Sequence, residues 1–372
     1  MTRSLIFIAL SAMLWCLYFQ VSSQAHYLVH AILHNTAESN YWTNWIYELY
    51  PRLQTEKWRF DENFFLQKFH QLLLRNTIVV QLVIPIMAFW NSIKTPLKNK
   101  SSQLFNVSIS SIYLNKYITP LLYGCLAYII YDALVDLKDL AYFKALYSPV
   151  GIGKLLLPYF PSITFLWLLY STLIGCIIAV VFFPYKWVSA SICLLAFLYY
   201  QLIFFGFDKY DHGYATLTYA MMVYPFVLYE QDKNKNASTP AWGIVLIQLL
   251  ICLSYFYGGM EKILISGWDW VALNNLQQHL MLNGTALGIE LSKFPILCKG
   301  LSIGVILFQC GFILLPFIKP LKYILLPIGF IFHTLTWLLL SAGGIINPWW
   351  FMYLFFLFPL QSLEIKSNLN EQ

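Results

Sequence analysis

The sequence predicts an all-α fold, a polytopic integral membrane bundle of about ten transmembrane helices. Composition is the first ground: 59% of the residues are hydrophobic and only 11% charged, against roughly 25% charged in a soluble domain. The second is the length of the apolar runs, since a helix needs about 20 apolar residues to cross the hydrocarbon layer. A closed β-barrel would instead show short alternating segments. The third is an aromatic content of 18%, with many rings at the ends of runs, where amphipathic side chains settle at headgroup level. A net charge of +6 then reads as the cytoplasmic excess of lysine, and no nucleic acid partner is expected. The seven cysteines lie in or beside apolar segments without a CxxC pair, so they read as small packing residues.

In chain order the candidate spans are residues 5–21, 72–90, 117–137, 162–183, 187–207, 213–229, 241–257, 300–318, 323–341 and 349–360. The first follows Arg3 and precedes small residues, as in a signal peptide, whereas its length and Trp15 fit an uncleaved anchor. A polar segment, 22–71, comes next. Lys94, Lys98, Lys100 and Lys116 stand between the second and third spans with no acidic residue among them, and Lys319 and Lys322 flank Pro320 between the eighth and ninth. Short lysine-rich loops are retained in the cytoplasm. Alternation then puts Lys186, Lys233, Lys235 and the tail inside, with segment 22–71 and Lys262 outside. Residues 1–116 form an N-terminal extension with two spans and an extracytoplasmic segment. Residues 117–361 form the main membrane domain and 362–372 a cytoplasmic tail.

Within the polar segment, His26, His30 and His34 recur at i, i+4 and i+8. On a helix that spacing places three imidazoles on one face, within the reach of a metal. Glu38 lies one turn further on, but no Cys or paired carboxylate completes a ligand set. The face reads as solvated and structural, and no metal is expected.

Ionisable residues in the later spans point to chemistry, because a charge at membrane depth destabilises unless something uses or neutralises it. Asp208-Lys-Tyr-Asp-His212 is a charged turn between the fifth and sixth spans. Gly258-Gly259-Met-Glu-Lys262 closes the seventh, and its two glycines allow a helix or a flat ligand to approach the backbone. His333 lies within the ninth. In this topology all three fall toward the outer half of the membrane. Asp132 and Asp136, one turn apart in the third span, suit a cation or an interfacial helix end. Lys262 is the deciding residue: it is either a snorkelling anchor or a base that rests neutral.

From Tyr131-Asp-Ala-Leu-Val-Asp through Tyr147-Ser-Pro-Val-Gly, Asp211-His212-Gly-Tyr, Tyr255-Phe-Tyr-Gly-Gly-Met-Glu-Lys262, Trp268-Asp-Trp270 and Gly329-Phe-Ile-Phe-His333, the chain resembles a known family. It is similar to the vitamin K-dependent γ-carboxylase and its bacterial relatives, the horizontally transferred transmembrane (HTTM) domain proteins, over roughly residues 117–361. The resemblance implies a reduced isoprenoid quinone as cofactor and no metal. It assigns Lys262 as the base that deprotonates the quinol, His212 as its assistant and His333 as a third site residue; Tyr255, Gly258 and Gly259 are the residues expected to bind the cofactor. Oxygen addition then generates a strong base that abstracts a glutamate γ-proton before carboxylation by carbon dioxide. Its expected partners are membrane lipid, the quinone and a peptide or small-molecule substrate, in a bacterial cytoplasmic membrane. The family carries two consecutive lysines where this chain reads Glu261-Lys262, and the short tail leaves no place for a large luminal domain. The alternative function is a non-catalytic membrane factor for peptide maturation, immunity or transport.

The sidedness is testable directly. A cysteine placed at Asn99 is expected to resist membrane-impermeant thiol reagents in intact cells, whereas labelling above the background of the native cysteines would invert the topology.

Overall fold

A computed structural model describes residues 2–34, 47, 61–88, 107–149, 152–207, 213–234, 238–267, 269–272, 274–343 and 347–362. They form two compact units. The smaller is dominated by two long helices, α1 (Thr2–His34) and α2 (Glu62–Ala88). These run antiparallel, as three side-chain rungs show: Gln81 Nε2 donates to Ser11 Oγ at 2.9 Å, Ser22 Oγ meets His70 Nδ1 at 3.2 Å, and His30 and His34 both reach Glu62. At 1.5 Å per residue the 33 residues of α1 extend about 50 Å, well beyond the ~30 Å hydrocarbon layer. The histidines occupy the end beyond the apolar stretch. Hydrogen bonding from His34, opposed by desolvation and joined by His30, holds the Glu62 carboxyl below its ordinary pKa.

The larger unit is built from α3 (Thr119–Tyr142), α4 (Ile163–Phe182), α5 (Lys186–Phe205), α6 (Ala215–Asn234), α7 (Trp242–Glu261), α8 (Pro295–Gly311) and α9 (Lys322–Leu340). Successive members from α3 to α9 pack against one another. Among the described residues, five helices are long and apolar enough to cross a membrane: Ile163–Phe182, Lys186–Phe205, Trp242–Ser266, Pro295–Leu314 and Lys322–Leu340. The two faces of α4 show why. Leu166, Leu169, Leu173 and Ile177 are buried, while Ile163, Trp167, Leu168, Ile178 and Phe182 on the other side are exposed. A helix apolar all round, with one face left outside the protein, is suited to lipid.

Apolar helices packed in lipid gain little from burial against each other, so polar side chains join them. Thr119 and Tyr224 bond at 2.8 Å between α3 and α6, both fully buried. Gln201 Nε2 donates to Thr218 Oγ1 at 2.8 Å between α5 and α6. Ser162 caps α4 by accepting from the Phe165 amide.

The segment expected as a tenth span, 349–360, is not one long helix. It is broken into α10 (Pro348–Phe351) and α11 (Leu354–Leu357) and buried in the unit, with Met352 and Phe355 fully covered. Pro348 occupies the first turn of α10, which Asn347 caps through the Trp349 amide. Polar contacts anchor the segment along its length: Thr216 Oγ1 donates to Pro348 O at 3.3 Å and Gln248 Nε2 to Phe355 O at 2.8 Å. It ends in a three-stranded antiparallel sheet that hydropathy does not predict. There β1 (Val107–Ser110) lies between β2 (Ser238–Pro240) and β3 (Gln361–Ser362). Strand β1, which falls within the expected extension 1–116, is therefore part of the larger unit.

Candidate functional site around the Tyr255 to Lys262 face

Tyr255, Gly258, Gly259 and Lys262 stand at i, i+3, i+4 and i+7, a spacing that shares one helix face. That face of α7 meets α8. The Tyr255 ring lies 5.4 Å from Phe308 and 4.4 Å from Phe312 between centroids. At Gly259 a Cβ would stand 2.8 Å from Cys310 Sγ and 3.1 Å from the Cys310 amide nitrogen. The glycine is needed because α8 itself makes the close approach there. Gly258 is less confined, with Gln309 Nε2 at 3.7 Å from the same constructed atom.

Lys262 is half-buried at the end of α7, where the chain passes into a π-helical turn, Lys262–Ser266. Its Nζ donates to Gly258 O at 3.1 Å and lies 5.2 Å from the centre of the Trp270 ring. Neither group is a counter-ion. Two buried polar atoms on these neighbours, Trp270 Nε1 and Gln309 Oε1, have no hydrogen-bond partner among the described residues. A donor, an acceptor and an amine are thus carried by residues that border the end of α7.

Two helical turns deeper, about 10 Å along the axis, the Tyr255 hydroxyl bonds His333 Nε2 at 2.6 Å and the Tyr353 hydroxyl at 2.7 Å. All three side chains are buried. Tyr255 donates at most one of these bonds and accepts the rest, since a phenol has a single proton. Trp349 closes the cluster, its ring centroid 5.1 Å from that of Tyr255. Gly329 of α9 admits Tyr353, whose hydroxyl would overlap any Cβ at that position.

The residues proposed from sequence therefore fall into two clusters. Lys262, Gly258 and Gly259 line the end of α7, while Tyr255 and His333 share the deeper node, where the His333 Nε2 is already bonded. His212 and its charged turn, 208–212, lie outside the described residues, as do Trp268, Glu38 and the side chains of Asp132 and Asp136. Sequence reading passed over Tyr353, Gln309 and Trp270 as site members. Gln309 had a usable signal, a lone amide in an apolar run, because a polar side chain in a span needs a partner. Trp270 stood in a quoted motif but as a landmark only. Tyr353, in a segment dense in aromatics, had no distinguishing mark. Comparison with family models, with curated proteins and with solved structures finds no match.

The tight fit at Gly329 generates a rescue experiment. Gly329→Ala is expected to destabilise by about 1–3 kcal/mol through overpacking, and Tyr353→Phe, which removes the overlapping oxygen, to recover part of that loss in thermal melting. Equal melting of Gly329→Ala and wild type would show that the contact is loose.

Proposed function

We propose that this chain is a multi-pass protein of a bacterial cytoplasmic membrane, similar to the vitamin K-dependent γ-carboxylases, in which the Lys262 amine acts as a base toward a reduced isoprenoid quinone. The observation that carries the reading is the setting of Lys262, half-buried with its amine on the Gly258 carbonyl and over the Trp270 ring, where Trp270 Nε1 and, beside Gly258, Gln309 Oε1 have no hydrogen-bond partner among the described residues. A quinol hydroxyl needs such a donor and acceptor, so these residues fit the group. When bound, a reduced quinone would supply an ionisable ring hydroxyl and reducing electrons. The chain's own groups do the rest. Trp270 Nε1 would hold a ring oxygen by donating to it, Gln309 Oε1 would accept from a hydroxyl, and a neutral Lys262 Nζ, oriented by Gly258 O, would be placed to take up a proton. Glu261, exposed and adjacent, tempers the positive field at the site. The proton abstracted downstream would come from a peptide or small-molecule substrate.

The sheet supports the expected sidedness, with about ten crossings. It gathers residues 107–110, 238–240 and 361–362, three segments that lysine bias puts at or beside the cytoplasmic surface. The return from α9 to β3 would then cross as the broken α10–α11 segment. Irregular backbone at membrane depth is tolerated where protein covers it.

A second reading, a non-catalytic membrane factor for peptide maturation, immunity or transport, is favoured by Gly259, where α8 takes the space a flat ligand would use. The two are separated at Lys262. A base must rest neutral, which guanidinium cannot do. Lys262→Arg is therefore expected to be as damaging as Lys262→Ala, each lowering oxygen-dependent oxidation of a reduced naphthoquinone by roughly 10² to 10⁴ with unchanged thermal melting. Equal turnover in wild type and both variants would refute the base and leave the second reading.

A further inference from the structure

The end of the α1–α2 pair carries a cluster that quinol chemistry does not use. Glu62, in the first turn of α2, presents one carboxylate oxygen to each of two imidazoles: Oε1 to His30 Nδ1 at 3.2 Å and Oε2 to His34 Nε2 at 2.8 Å. One ligand atom from each of the three residues can be chosen so that all lie within 4.8 Å of one another. The sequence set His26, His30 and His34 on one face with Glu38 a turn further on, and did not point to Glu62. The antiparallel fold supplies it from the other helix.

We propose that His30, His34 and Glu62 form a binding site for a divalent transition-metal ion, zinc being the ion their chemistry suits first. Zinc binds imidazole nitrogen and carboxylate oxygen at about 2.0–2.2 Å, so ligands sharing one tetrahedral ion stand about 3.3 Å apart. The His–Glu separations of 3.2 and 2.8 Å need little adjustment to receive it. Two His and one carboxylate make a three-ligand set that leaves a position for water. The side chains of His30 and His34 are 47% and 50% exposed and that of Glu62 27%, so an ion can enter from solvent. As an ion pair alone, the arrangement would contribute little, since solvent screens partners that are this exposed. His26 stacks against His30 with centroids 6.3 Å apart and lies outside the ligand group, which makes it an internal control.

The test is zinc titration of the purified full-length protein, stripped of metal, with cobalt(II) as a spectroscopic substitute. Wild type is expected to bind one equivalent of zinc, and its cobalt form to show nitrogen and oxygen ligation without a thiolate charge-transfer band. Glu62→Gln and the double variant His30→Gln/His34→Gln should each weaken binding by at least about 100-fold, more than the roughly 10- to 100-fold typical of outer-shell changes. His26→Gln and Cys16→Ser, the latter removing the exposed thiol of α1, should leave it unchanged. Melting of each variant in metal-free buffer confirms folding, and His34→Gln alone serves if the double variant melts early. Absence of stoichiometric zinc in wild type, retention of affinity in Glu62→Gln, or loss with Cys16→Ser would each overturn the proposal.

Discussion

The Tyr255 hydroxyl bonds His333 of α9 and Tyr353 between α10 and α11, and in doing so ties two parts of the larger unit to α7. The physical constraint behind it is severe. A phenol, an imidazole and a second phenol are buried together, and an unmade bond among buried polar groups costs about 1–3 kcal/mol. Each group therefore fixes the position of the others. The rings around them add directional packing, with Phe312 4.4 Å and Trp349 5.1 Å from Tyr255. The consequence reaches the end of α7, because the face that holds Tyr255 against α8 and α9 also sets the direction in which Lys262 leaves the helix, two turns on.

The same rule organises the rest of the unit. Two joins between apolar helices carry a buried pair, Thr119 with Tyr224 and Gln201 with Thr218, and α10–α11 is held by carbonyls that accept from Thr216 and Gln248. In the smaller unit the rungs are Ser11–Gln81, Ser22–His70 and the two histidines on Glu62. These contacts specify register between helices whose apolar surfaces alone would slide past one another.

The helical class and the positions of the long apolar helices were legible in the sequence because hydropathy over about 20 residues is a strong signal. The break at Met352 was not, since residues 349–360 are as apolar as a span and only tertiary cover allows them to be irregular. The sheet was equally hidden: its strands are two to four residues long and pair across separations of more than a hundred residues. At the candidate site, Lys262 and the paired glycines announced themselves, as a charge at a span end and as a gap in side-chain cover. The partners did not. Gln309 comes to α7 from α8 and Tyr353 from the turn between α10 and α11, and Glu62 reaches His30 across 32 residues. Sequence spacing identifies the first half of such a contact and is silent about the second.

The interdependence of the Tyr255 node is measured most directly by a double-mutant cycle of Tyr255→Phe and His333→Leu, followed by unfolding in a bilayer mimetic. A shared hydrogen bond predicts coupling of about 0.6–1.7 kcal/mol, so that the second substitution costs less once the first is made. Effects that add to within about 0.3–0.5 kcal/mol would mean that Tyr255 and His333 act independently, and would contradict the account.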